Sequence, residues 1–489
     1  MLLKVKKLKF LAGRPVCMIH ELTAKDLSLH VGNRVSIKKK NKEIISIVDT
    51  VSGIITKDEI AVSDSIIKSL SLKPKEIVDV EIIKKPPSIN LIKKKLNGKR
   101  LNEKEIYEII KNIANNSLTE VEIAFFVSAV YTRGMSSSET KNLTKAMADI
   151  GYKLRLKGKV YDKHSIGGVA GNRTTPIVIA ICSAAGLKMP KTSSRAITSA
   201  AGTVDVMETV AKVDFTIDQI KKIISKTNAC LVWGGALGLA PTDDKIIKIE
   251  RIVNIDSTSQ MLASILSKKI SVGSKYVLID IPCGKSAKVS KNQAHKLRLD
   301  FLNLAKKFNL SMKVILTDGS EPIGNGIGPI LEMKDIIKVL KNDNPPKDLE
   351  KKSLLLSAEL LRLAGKKQPL KLANNILKSG QAYKKFLEII KAQQGNINKL
   401  NNPKPKYSHI IKAKTKTKIK HIDNKLINRL ARHAGCPEDK AAGIYIHEKK
   451  GQIVEKGKPI LTIYTESKEK LNHAINFYKK FKGKMVEFG

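Results

Sequence analysis

The sequence predicts a multi-domain α/β protein: a small β-rich amino-terminal domain, an all-helical domain, a large α/β domain on a mostly parallel sheet, and a carboxyl-terminal α+β domain. Three patterns carry the prediction. Between about residues 161 and 400, short β-branched runs alternate with helix-like stretches, the order that layers helices on a parallel sheet. Residues 89–160 repeat their apolar positions at helical spacing, and residues 1–85 hold short β-branched runs between turn residues. At 489 residues the chain is long enough for several such cores.

In residues 1–85, VSIKKKNKEIISIVDT and EIVDVEII read as strands, with turns at Gly32-Asn33 and Gly53, and Pro86-Pro87 closes the region. In residues 89–160, EIYEIIKNIA sets Ile106, Ile109, Ile110 and Ile113 on one helical face. Thr119 and Glu122 form a capping box ahead of the apolar helix EIAFFVSAVY. In residues 161–402, TPIVIAICSAAG, KYVLIDIP and MKVILTDGS read as strands, and NQAHKLRLDFLNLAKKF as a helix. Asn401-Asn402-Pro403-Lys404-Pro405 reads as a linker. In residues 407–489, IYIHEKKGQIVEKGKPILTIY holds two strand-like runs around glycine turns, and KEKLNHAINFYKKF closes the chain as a helix.

Aromatic residues make up only 4% of the chain against 42% hydrophobic, so the cores are built mainly of Ile, Leu, Val and Ala. Five cysteines (Cys17, Cys182, Cys230, Cys283, Cys436) are scattered with no CxxC and no histidine cluster at ligand spacing. That excludes a disulfide scaffold and structural zinc, and points to a reducing cytoplasm. The longest apolar run, at 177–187, is too short to cross a bilayer, and MLLKVKKLKF lacks a signal-peptide core, so no membrane partner is expected. The net charge of +45 invites a nucleic-acid reading. The excess is mostly lysine spread along the whole chain, with no RNP-type motif or zinc finger, so nucleic acid is not the expected main partner. Such a charge would draw in any anionic substrate.

Four segments carry chemistry. DKHSIGGVAGNRTTP (162–176) places Lys163, His164 and Ser165 before three glycines; it fits either a glycine turn entering a helix or a backbone cradle for an anion. KTSSRAITSAAGTVD (191–205) gathers six hydroxyls around Arg195, a planar fork suited to phosphate, and has almost no bulk. In ERIVNIDSTSQMLASILSKK (250–269), Ser264 and Lys268 share a helical face, and on spacing alone Asp256 is a helix N-cap. IDIPCGKSAKV puts Lys285 and Lys288 in a loop after a strand, where α/β sheets place ligands. GNGIGP (324–329) is read as a structural turn, because Pro329 breaks the dinucleotide pattern.

Together these segments, with ACLVWGGALGLAPTDDKIIKIER and AAGIYIHEKKGQIVEKGKPILTIY, resemble the thymidine/pyrimidine-nucleoside phosphorylase family over essentially the whole chain. The resemblance is narrower still to the archaeal branch that phosphorolyses AMP. It implies the same four-part fold, a homodimer or larger homo-oligomer, and the conversion of AMP and inorganic phosphate to adenine and ribose 1,5-bisphosphate. CMP and UMP are implied as further substrates, and no cofactor or metal is required. Carried over residue by residue, the implied substrate contacts are Gly168, Ser194, Arg195, Ala196, Ile197, Thr198, Ser199, Thr203, Ser264 and Lys288, with Asp256 as proton donor. Lys163, His164, Ser165 and Lys268 match positions lining the phosphate and base sites of related phosphorylases. The sequence departs from the family pattern at Ala170 and Ala200, where proline is common or expected, and at Asn228-Ala229, where a glycine pair is expected. Rival readings are a pyrimidine nucleoside phosphorylase, a basic nucleic-acid-binding protein and a phosphoribosyltransferase.

Overall fold

The structure, a computed structural model, describes residues 1–8, 12, 14–196, 199–235, 238, 241–253, 255–401 and 404–489. Asn402 and Pro403 of the expected linker lie outside the described residues. Contacts divide the chain into two units, Met1–Gly151 with Ala240–Ser264, and Tyr152–Leu239 with Ile265–Gly489.

In the first unit, β1 (Leu2–Lys6), β2 (Val16–His20), β3 (Arg34–Lys39), β4 (Lys42–Val51), β5 (Glu59–Val62) and β6 (Ile77–Ile83) close into a barrel in the order β1-β5-β2-β4-β3-β6. Two short helices, α1 (Glu21–Asp26) and α2 (Asp64–Leu70), decorate it. The run VSIKKKNKEIISIVDT is the β3–β4 hairpin, turning at Lys40 with φ 50°. Helices α3 (Ser88–Leu96), α4 (Glu103–Ala114), α5 (Glu120–Arg133) and α6 (Ser137–Ile150) follow. Ile106, Ile109, Ile110 and Ile113 of α4 are fully buried, and the Thr119–Glu122 capping box opens α5. The bundle core also takes Ile246 and Ile249 from a later segment, so the helical unit is discontinuous in sequence rather than the continuous block expected.

The second unit begins with β7 (Tyr161–Ser165), α7 (Thr174–Ala184), β8 (Met189–Ser193), α8 (Thr203–Met207), α9 (Ile217–Thr227) and β9 (Ala229–Trp233). Helix α10 (Pro241–Val253) belongs to the first unit, and α11 (Thr258–Val272) runs across the division of the chain. Next come β10 (Tyr276–Cys283), α12 (Lys291–Lys306), β11 (Ser311–Asp318), β12 (Gly326–Ile327), α13 (Pro329–Lys341), α14 (Lys347–Leu363), α15 (Pro369–Lys378) and α16 (Gln381–Ala392). The strands β11-β10-β7 are parallel, a parallel bridge between Val160 and Lys188 continues the sheet, and β8-β9 are parallel. The expected parallel sheet is therefore present. TPIVIAICSAAG, expected as a strand, is instead the helix α7, whose residues 174–183 are all buried. A helix apolar on every side reads like a buried strand, and Pro176 sits in its first turn, where a missing N–H costs no intrahelical bond. Asn228, in place of the glycine expected by resemblance, ends α9 in the left-handed region at φ 60°, which asparagine tolerates.

The last part holds β13 (Tyr407–Lys412), β14 (Thr417–Ile422), α17 (Asn424–His433), β15 (Gly443–Ile446), β16 (Ile453–Val454), β17 (Pro459–Thr465), α18 (Lys468–Met485) and β18 (Val486–Phe488). With β12 they form two sheets, β12-β15-β17-β13 and β16-β14-β18. The two strand-like runs expected in IYIHEKKGQIVEKGKPILTIY are β15 and β17, with the two-residue β16 between them, while β13, β14 and β18 were not expected. GNGIGP supplies β12, which pairs with β15, and its Gly326 N–H donates to Asp335 Oδ2 at 2.8 Å, so the structural-turn reading holds.

Candidate active site

Strand order decides where a ligand can sit. The chain steps from β7 to β8 to β9 in one direction and then from β10 to β11 on the other side of β7, so the order reverses between β7 and β10. A crevice opens at such a reversal, outside the carboxyl ends of the strands. Gly168 follows β7 and Lys288 follows β10 at this point. Gly168 has φ 90°, and a Cβ there would stand 2.7 Å from Lys288 Cβ and 2.9 Å from its backbone nitrogen. Only glycine lets these two loops touch. Ser194, Arg195 and Ala196 follow β8 on the same edge of the sheet.

Beneath this edge lies a buried set of charges. Strand alternation turns Asp162 and Lys163 to opposite sides of β7. Lys163 is fully buried and donates to Thr174 Oγ1 at 2.9 Å and Thr175 Oγ1 at 3.3 Å in the first turn of α7. Burial pushes its pKa down to about 7 against the opposing pull of Asp280. Asp162 accepts from Lys269 at 2.6 Å and Lys191 at 3.2 Å. Burial alone would raise the Asp162 carboxyl, but these two lysines hold it below the usual range. Burial and four surrounding lysines, Lys269, Lys191, Lys268 and Lys163, push the His164 imidazole well below its ordinary value, so it is neutral at pH 7.

The hydroxyl-rich segment is a loop folded around Asp205. Asp205 Oδ2 accepts from the backbone N–H groups of Ala196 and Gly202, both at 2.7 Å, closing the loop on itself. Ser199 Oγ donates to the Ala201 carbonyl at 2.8 Å. Arg173 donates through Nη1 to Thr203 Oγ1 at 3.1 Å and through Nη2 to the Ala201 carbonyl at 2.7 Å, while its Nε pairs with the buried Glu332. Ser194 is exposed. Arg195 is not an uncommitted fork: it pairs with Glu208 through Nη1 at 2.7 Å and Nη2 at 2.5 Å and lies 4.9 Å over the ring of Trp233, the chain's single tryptophan. Its side chain remains 39% exposed. Ile197 and Thr198 lie outside the described residues.

Asp256 and Ser264 belong to the first unit. Asp256 is exposed, and Ser257, which is buried, stands directly before the first residue of α11. The N-cap position is therefore that of Ser257, not Asp256, which corrects the spacing argument. Ser264 and Lys268 are both half-buried and lie one turn apart on α11, as expected. Lys285 is exposed and pairs with Glu487 at 2.8 Å, whereas Lys288 in the same loop meets Gly168.

Sequence reasoning passed over Arg173, Asp205, Glu208 and Trp233. Arg173, Asp205 and Trp233 stood inside the quoted motifs, and an acid closing a glycine- and hydroxyl-rich segment was the available signal for Asp205.

Residues 157–383 match the a/b domain of the glycosyl transferase family, residues 89–151 its helical bundle domain, and residues 418–482 the pyrimidine nucleoside phosphorylase carboxyl-terminal domain. The chain is 43% identical to the AMP phosphorylase of Thermococcus sibiricus, over 96% of this chain and 95% of that protein. It is 42% identical to the AMP phosphorylase of Thermococcus kodakarensis over the same shares, and 40% identical to that of Pyrococcus furiosus over 99% and 97%. Among solved structures, the anthranilate phosphoribosyltransferase of Thermus thermophilus aligns with a TM-score of 0.53 at 16% identity, covering 62% of this chain and 99% of that one, a likeness of fold alone.

Proposed function

The chain belongs to the AMP phosphorylase family, and we propose that it is a pentosyltransferase converting AMP and inorganic phosphate to adenine and ribose 1,5-bisphosphate, with CMP and UMP as further substrates. The observation that carries the reading is the meeting of Gly168 and Lys288 at the strand-order reversal, beside the Arg195 loop on the next strand. There, backbone donors and cations converge where a doubly anionic reaction needs them.

In the proposed reaction a phosphate oxygen bonds to C1′ as the glycosidic bond breaks and its electron pair leaves with the base. Asp256 delivers its proton to N7 of adenine and is reprotonated from solvent; a general acid of this kind contributes roughly 10²–10⁴-fold. Lys163, Ser165, Lys288 and Arg195 hold the two phosphate groups and offset their repulsion. Ser194, Ala196, Ile197, Thr198, Ser199 and Thr203 wall the nucleotide, Ser264 and Lys268 line the base site, and neutral His164 acts as a hydrogen-bonding group. Inorganic phosphate is the co-substrate, and no cofactor or metal enters the reaction. The protein works as a homodimer or larger homo-oligomer in the cytoplasm, a compartment that suits its five buried, free cysteines. No helix among the described residues is long and apolar enough to cross a membrane.

The test is base release from AMP, adenosine and thymidine, each with and without phosphate. Release from AMP alone, and only with phosphate, is expected. Turnover of the nucleosides but not of AMP would refute the nucleotide reading.

A further inference from the structure

Four loops at strand ends, those after β7, β8, β10 and β11, are each hydrogen-bonded to one face of α17, a helix more than a hundred residues further along the chain. Asn424 opens α17 and is fully buried. Its Oδ1 accepts the Ala170 N–H at 3.0 Å, in the glycine loop after β7. Its Nδ2 donates to Ser286 Oγ at 3.0 Å, in the Lys288 loop after β10, and to the Gly319 carbonyl at 2.8 Å beyond β11. The Asn424 backbone N–H also donates to Ser286 Oγ, at 3.1 Å, and that hydroxyl in turn donates a hydrogen bond to the Ser320 carbonyl at 2.8 Å. One turn on, Asn428 is buried and its Oδ1 accepts the Ala200 N–H at 2.9 Å, in the hydroxyl-rich loop after β8. Spacing of four places both amides on one face of the helix. Ala170 and Ala200 pack with Ile427, Leu430 and Ala431 of α17 in one buried cluster, so these contacts are sealed from water.

A buried amide among apolar groups is costly unless every donor and acceptor is met, and each bond made there resists exchange with water. We propose that Asn424 and Asn428 are positioning residues, which fix the three substrate loops in the register that binds nucleotide and phosphate and make α17 a structural part of the active site. The proposal rests on reading those loops as the substrate site.

The test uses the full chain with Asn428→Leu, which keeps volume and removes the acceptor, and Asn428→Asp, which restores an acceptor at the same reach. Two readouts are taken: amide hydrogen exchange of the peptide carrying Ala200 in the unliganded protein, and steady-state kinetics with AMP. Asn428→Leu is expected to speed exchange at that peptide about tenfold and raise the KM for AMP about tenfold, with kcat within about threefold, from the loss of one buried hydrogen bond. Exchange in the barrel and helical bundle should stay unchanged, and Asn428→Asp should recover most of both effects. Unchanged exchange at Ala200, uniform acceleration across the chain, or faster exchange with an unaltered KM would each overturn the proposal. If Asn428→Leu does not fold, Asn428→Asp alone decides: wild-type exchange and KM support the acceptor role, and a tenfold loss refutes it. If wild type does not turn over AMP, the functional reading fails, and exchange alone decides whether α17 fixes the loop.

Discussion

Asp256 and Lys163 carry the sharpest chemistry, and only part of it is written in their neighbours. Spacing alone makes Asp256 a helix cap, yet Ser257 stands directly before the first residue of α11 and Asp256 is exposed. As the proposed proton donor, Asp256 is tested by Asp256→Asn, which should lower kcat on AMP by roughly 10²–10⁴-fold. A loss of less than about threefold would reassign the proton donor. Lys163 was legible as a lysine before glycines, but its burial was not, because nothing local records that α7 closes over it. With its pKa pushed down to about 7, Lys163 is charged below pH 7 and increasingly neutral above it. The KM for phosphate should therefore rise between pH 7.5 and 9, where phosphate's own charge changes little, by about tenfold per pH unit at most. Lys163→Met should raise the KM at every pH and flatten that slope. The commitment of Arg195 to Glu208 and Trp233 depends on partners 13 and 38 residues away in sequence, beyond the reach of local spacing rules.

Local rules read well where partners are close. The capping boxes at Asn102, Thr119, Ser136, Thr216 and Ser290 each join residues three apart, and α4 declared itself through four buried isoleucines. They fail where the period is masked. Helix α7 has no polar face, and β13, β14 and β18 pair with strands distant in sequence, β14 as the centre of its sheet and β13 and β18 at edges. The hydrogen bonds from Ala170 and Ala200 span 254 and 228 residues, so no reading of the loops alone could find them. They also explain how alanine serves at both departures from the family pattern: each offers an N–H that proline lacks. Gly168 shows the opposite case, a residue whose need is visible only in three dimensions. Gly168→Ala adds left-handed strain and a methyl 2.7 Å from Lys288 Cβ, so it should cost about 1–3 kcal/mol in chemical denaturation and raise the KM for AMP more than it lowers kcat. Wild-type stability and KM would contradict the loop contact.

Over the whole chain the charge of +45 finds a use in this account, because both substrates are anions. If the surface field gathers them, kcat/KM for AMP should fall on the order of tenfold between about 0.02 and 0.5 M salt. A flat profile would leave the lysines as compositional bias. The order of the four parts was legible from pattern changes along the sequence. The discontinuous helical unit was not, since the membership of Ala240–Ser264 is a matter of long-range packing. A phosphorus-31 NMR time course of wild-type protein with AMP and inorganic phosphate should show both resonances decline together and two phosphoester resonances of ribose 1,5-bisphosphate grow, with adenine released one for one. Ribose 5-phosphate with inorganic phosphate unconsumed would mean hydrolysis, and an unchanged spectrum would mean that this site does not cleave AMP.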